Sequence, residues 1–99
     1  MTHTISIVSE LGSFASNKDI AKNIRTKEIL PRLAAKETVI LDFAGVEGST
    51  QSLIHALIAE PLQLYGQDAL NYLEFKSANG VLKTLIGLVI DYSLLKMRQ

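Results

Sequence analysis

Ser52 and His55 are the pair in this chain whose types and spacing most suggest chemistry: a hydroxyl and an imidazole three residues apart, with Gln51 four residues before the histidine. At helical spacing all three share one face. A serine activated by a neighbouring base supports acyl transfer, but the base must lie within hydrogen-bond reach and be oriented by a third group. Side chains along one helix seldom meet the first condition, and no carboxylate is spaced to meet the second. No serine has glycine both two residues before and two after it, so the hydrolase elbow is missing. The surrounding turn, Ala44 to Ser52, carries neither a Walker lysine pattern nor GxGxxG, which leaves a phosphate cradle of either kind unsupported. His3 and His55 are the two histidines and there is no cysteine, so no metal-ligand set emerges. Asp42, at a strand end, reads as a hydrogen-bond partner for the adjoining turn rather than as an acid or base. The expectation is a protein that is not an enzyme and has no cofactor and no metal.

The hydroxyls Ser49, Thr50 and Ser52 carry a second meaning. At a helix N-terminus the dipole favours added negative charge, so a phosphate there would be stabilised and would switch the local charge. The same hydroxyls also read as helix caps with no further role. Both readings stay open on the sequence.

The elements that must position these residues are strand, turn and helix. Thr38 to Phe43 contains Val39, Ile40 and Leu41 in succession, the pattern of a central strand covered on both faces. Gly45 and Gly48 punctuate the turn. Leu53, Ile54, Leu57 and Ile58 then repeat at helical spacing, with Ser49 or Thr50 as cap, to about Leu62, and Pro61 marks the last turn. Upstream, His3 to Val8 reads as a first strand, Ser9 to Gly12 as its exit, and Ser13 to Ser16 as either a very short second strand or an extended segment. Ser16 resembles an N-cap for a helix beginning at Asn17, which Pro31 should break or kink after Asn23. Tyr65 to Asn71 reads as a polar connection, Tyr72 to Lys76 as a strand, and Asn79 as the cap of a last helix from about Gly80 to Lys96. Strands alternating with helices give an α/β layer fold, with a mainly parallel or mixed sheet of about four strands flanked by helices.

With 99 residues, 47% apolar and 20% charged, the chain can close one core as a single domain spanning 1–99. The N-terminus has no basic leader or long apolar core and reads as a strand rather than a signal peptide. Val81 to Met97 is too short and too charged to span a membrane. A soluble, cytoplasmic protein is expected. Net charge is zero but uneven: residues 18–36 carry +4, whereas 37–75 contain no Lys or Arg and carry −6. The acidic middle disfavours nucleic acid, which needs its phosphates neutralised. Both blocks also read as ordinary solvated faces.

The last helix is apolar almost all round. Leu82, Leu85, Ile86 and Val89 form one stripe, while Val81, Leu88, Ile90, Leu94, Leu95 and Met97 fill much of the remaining circumference. Either another helix of the chain covers that surface or a partner does, with Val81, Leu88 and Leu95 as a candidate homodimer interface.

At the central turn the string LDFAGVEGSTQSL, with GSFASNKDIAKNI upstream and the Asn79-led helix downstream, resembles the STAS-like domains of the DUF4325 family, relatives of anti-sigma factor antagonists. The resemblance runs from about Ile5 to Leu94 and includes no catalytic motif. It implies a small STAS-like fold and a non-enzymatic switch or adaptor that docks on a partner, such as a histidine-kinase-type ATPase. In the antagonists that kinase phosphorylates a serine opening the helix after the central strand. Aligning LDFAGV puts Gln51 at that serine, Ser52 at the next position and Thr50 in place of the preceding aspartate, so Thr50 or Ser52 would have to substitute. His55 and Ala56 stand where the family often has acidic residues.

The leading expectation is therefore a regulatory protein–protein interaction domain docking through the strand-turn-helix at 44–60, with Glu47, Ser49, Thr50, Gln51, Ser52 and His55 on its recognition face. The alternatives are a structural subunit that homo-oligomerises through the C-terminal helix, and a nucleotide- or small-ligand-binding sensor.

Overall fold

A computed structural model of the chain describes residues 2–96. Its main sheet has three strands: β1 (Thr2–Ser6), β3 (Thr38–Asp42) and β5 (Leu73–Lys76), in the order β1-β3-β5. Both pairings are parallel, His3 aligning with Val39 and Leu73, and Ile5 with Leu41 and Phe75. β3 is central, as its apolar run predicts. A second, two-stranded parallel ladder joins β2 (Phe14–Ala15) to β4 (Gly48–Ser49). The α/β class holds, with three strands and two in separate sheets in place of one sheet of about four.

The sheet is covered less evenly than three consecutive apolar residues suggest. Ile5, Val39, Leu41 and Leu73 are buried in the core, but on the opposite face Ile40 is half-buried between exposed Thr4 and Glu74. Two-sided cover of the central strand is therefore not realised. The polar row beside Ile40 tolerates water, so that single isoleucine needs no second helical layer.

Helices α1 (Ile7–Leu11), α2 (Lys18–Ile24), α3 (Leu30–Ala34), α4 (Gln51–Tyr65), α5 (Ala69–Tyr72) and α6 (Gly80–Lys96) complete the fold. α4 is its axis. Leu53, Ile54, Ala56, Leu57, Ile58, Ala59, Pro61 and Leu62 are all buried, which leaves Gln51, Ser52, His55 and Glu60 as the exposed polar residues of the helix. Fully burying one Leu or Ile side chain contributes about 1.5–3 kcal/mol, so this helix dominates the core.

Several boundaries depart from the sequence reading. The first strand stops at Ser6, because its side chain accepts from the Ser9 backbone and caps α1, turning Ile7 and Val8 into helix. Asn17, not Ser16, caps α2, its Oδ1 accepting from Asp19 N at 3.0 Å and Ile20 N at 3.2 Å. The break expected before Pro31 takes the form of a π turn over Arg25–Ile29, with Leu30 N donating to Arg25 O. Pro31 has no N–H for the preceding turn. In that stretch Arg32 Nη1 donates to the Glu28 carbonyl at 3.1 Å, and His3 Nε2 lies 2.9 Å from Glu28 Oε1, tying β1 to the bulge. Pro61 lies inside α4, which continues to Tyr65, and the following connection is helical rather than a polar loop: a 3-10 turn over Gly66–Asp68, then α5. Tyr72 belongs to that short helix, so the strand begins at Leu73.

Candidate functional site

The turn between β3 and α4 is held from three sides. Asp42 Oδ1 accepts from Ala44 N at 3.0 Å, Val46 N donates to Phe43 O at 2.9 Å, and Gly45 sits at φ +85°, a conformation that favours glycine. Asp42 is thus a turn-forming residue, as its place at the strand end suggests. The backbone of Glu47 donates to Ser13 O at 2.7 Å and that of Thr50 to Ala15 O at 3.1 Å, extending the β2-β4 ladder on both sides. On the third side Asn79 Nδ2 donates to Glu47 O at 2.9 Å, while its Oδ1 accepts from Leu82 N and caps α6 as the sequence predicts. The start of α4 is therefore presented on a fixed frame.

Within that frame the six expected site residues divide. Thr50 Oγ1 accepts from Leu53 N at 3.1 Å as the N-cap, and Ser49 Oγ donates to Thr50 O at 3.0 Å. Those two hydroxyls are occupied with local structure. Glu47 is exposed, with its backbone pinned. Gln51, Ser52 and His55 are exposed and come together along one wall of an open groove of about 510 Å³. Ser52 and His55 make no hydrogen bond to each other, and no carboxylate orients the imidazole among the described residues.

The opposite wall is α2, which supplies Lys18 and Lys22, together with Arg25 at the start of the π turn that follows it. The fold thus sets the basic segment against the first turn of α4, inside the acidic segment. Arg25 is anchored: Nη1 donates to Ala56 O at 3.1 Å, and Nε lies 3.2 Å from Glu60 Oε1 without hydrogen-bond alignment. Lys18 and Lys22 have no side-chain partner among the described residues. The sequence reading missed this wall because it weighed charge by segment. The spacing of residues 18, 22 and 25, one helical stripe, was the available signal.

The second candidate surface lies on α6. Val81, Leu88 and Leu95 are 61%, 51% and 66% exposed, and half-exposed Tyr92 and partly buried Leu85 lie on the same stripe. Ile90 and Leu94 pack instead against the core. Met97 lies outside the described residues. No helix among the described residues is long and apolar enough to cross a membrane.

Residues 21–83 match the family model of a STAS-like domain of unknown function, DUF4325. That span includes β3, the turn, the whole of α4 and the basic wall from Ala21 onward. No curated protein and no solved structure matches the chain.

Proposed function

The chain belongs to the STAS-like DUF4325 family, and we propose that it acts in the cytoplasm as a non-enzymatic regulatory domain, docking on a protein partner through the turn and helix start at 44–60. The observation that carries this reading is the contrast within the site. Its backbone is fixed by β2, by Asn79 and by the Thr50 cap, whereas Gln51, Ser52 and His55 project from it with no partner of their own. Pre-organised backbone presenting free polar groups lowers the ordering cost of association. A histidine-kinase-type ATPase is the partner class the antagonist relatives suggest. Between the two candidate phosphoacceptors, Ser52 is the better placed: it is exposed and unbonded, whereas the Thr50 hydroxyl is the helix cap. Incubation with candidate ATP-dependent kinases, followed by pull-down and phosphosite mass spectrometry, tests the reading. Capture that depends on Gln51 and Ser52 supports it. Absence of binding, or binding indifferent to Gln51→Arg and Ser52→Arg, sinks it.

A structural role through α6 is the second reading, favoured by the exposed stripe. Positions 81, 85, 88, 92 and 95 alternate steps of four and three, the spacing of a coiled-coil seam, and a second copy of the same helix is its natural occupant. Sedimentation over a range of concentrations is the check. A dimer converted to monomer by Leu88→Glu or Leu95→Glu is expected, and a wild-type monomer at high concentration removes the idea.

A further inference from the structure

We propose that the groove between α2 and α4 receives an extended acidic segment of the partner, its carboxylates seated on Lys18 and Lys22. This rests on the docking reading and specifies the chemistry of what docks. The seven lining residues are Lys18, Lys22, Arg25, Gln51, Ser52, His55 and Ala56, with no carboxylate among them. In a chain of net charge zero that is a local concentration of positive charge. Arg25 is committed to Ala56 and Glu60, while Lys18, Lys22, Gln51, Ser52 and His55 make no side-chain hydrogen bond or ion pair among the described residues.

The layout of the charge selects the ligand. The two uncommitted lysines, Lys18 and Lys22, lie four residues apart on one helical stripe, so their backbone positions differ by about 6 Å along the axis. A single phosphate calls for donors converging on one point, whereas cations strung along a groove match a chain whose acidic side chains recur at a similar interval. An extended segment advances about 3.3 Å per residue and points alternate side chains to one face, so acidic residues two apart fall in step with the two lysines. Gln51 and Ser52 carry both donor and acceptor atoms and face the lysines across the groove, where they can pair with the segment's backbone.

Titration of the ¹⁵N-labelled chain with a blocked nine-residue peptide carrying glutamate at every second position tests the proposal. Amide shifts are expected at residues 18–25 and 51–56, with affinity falling about tenfold between low and physiological salt. The Lys18→Glu/Lys22→Glu double variant should bind at least tenfold more weakly. Both positions are exposed and neither lysine has a side-chain partner among the described residues, so the variant's remaining spectrum should match wild type. The proposal is overturned by absent shifts, by shifts elsewhere, by undiminished binding in the double variant, or by equal response to a lysine peptide. It is overturned equally if inorganic phosphate or a single-stranded oligonucleotide shifts these amides and the glutamate peptide does not. The two readings fail separately. A captured partner that is lost on Gln51→Arg but retained by the double lysine variant keeps the docking reading and ends this one. Peptide binding without any captured partner does the reverse.

Discussion

Asn79 holds the backbone of Glu47 from across the fold: its side-chain nitrogen donates to the Glu47 carbonyl at 2.9 Å while its oxygen accepts from Leu82 N at 2.9 Å. One side chain therefore caps α6 and fixes the turn that starts the candidate site. Asn79→Ala removes both bonds and is expected to cost about 1–2 kcal/mol, the usual range for a lost cap. Asn79→Asp keeps an acceptor for the cap but has no donor for Glu47, so it should recover part of that loss. Urea unfolding of the three proteins measures the difference through the midpoint at constant slope. Equal losses in both variants would show that the cap contributes nothing.

Lys36 ends α3 with φ +60°, its amide donating to Leu33 O at 3.0 Å while Glu37 N donates to Arg32 O at 2.8 Å. This is the position after a helix where glycine is preferred, because a Cβ is strained there. Lys36→Gly is expected to stabilise the fold by about 0.5–1 kcal/mol, and Lys36→Ile to destabilise it by about 1 kcal/mol, since a β-branched residue fits this region worst. Thermal and urea unfolding should agree on the sign of each. Indifference to both substitutions would contradict the strain argument.

What could be read in advance follows from the range of the interaction involved. The strand-turn-helix was legible because apolar runs, glycines and a capping hydroxyl act over a few residues, and so was Asn79 as a cap. The end of β1 was not, because Thr4 to Val8 alternates like a strand and only the Ser6 cap converts Ile7 and Val8 to helix. Ile40 misled for the opposite reason: three apolar neighbours imply burial on both faces, but Thr4 and Glu74, which flank it in the sheet, are distant in sequence. The α2 wall required the same long-range knowledge. Lys18 and Lys22 lie in a segment whose partner, the start of α4, is brought opposite only by packing.

Ser93 is fully buried on α6, and its hydroxyl has no hydrogen-bond partner among the described residues. Desolvating a hydroxyl without a partner costs about 1–3 kcal/mol. Replacement by alanine removes that cost together with only one heavy atom. Ser93→Ala should therefore leave stability unchanged or raise it by about 1 kcal/mol, read from the urea midpoint. A clear loss of stability would mean that the hydroxyl is satisfied, for example by a buried water.

Arg25 links the two walls of the groove, donating to the Ala56 carbonyl at 3.1 Å with Nε 3.2 Å from Glu60 Oε1. The Arg25 side chain is 21% exposed and that of Glu60 49%, so water screens the ion pair and the carbonyl bond should carry most of the effect. Arg25→Met retains the apolar stem, loses both interactions, and is expected to cost about 1 kcal/mol. Arg25→Lys keeps the charge but replaces a planar fork with a single ammonium, which cannot serve the carbonyl and the carboxylate in the same geometry. Its stability should fall between wild type and the methionine variant. If lysine matched arginine in urea unfolding, charge alone would suffice and the bond to Ala56 would contribute nothing. If instead lysine were as damaging as methionine, the planar fork would be what holds α2 against α4, and the spacing between Lys22 and Ser52 would depend on it.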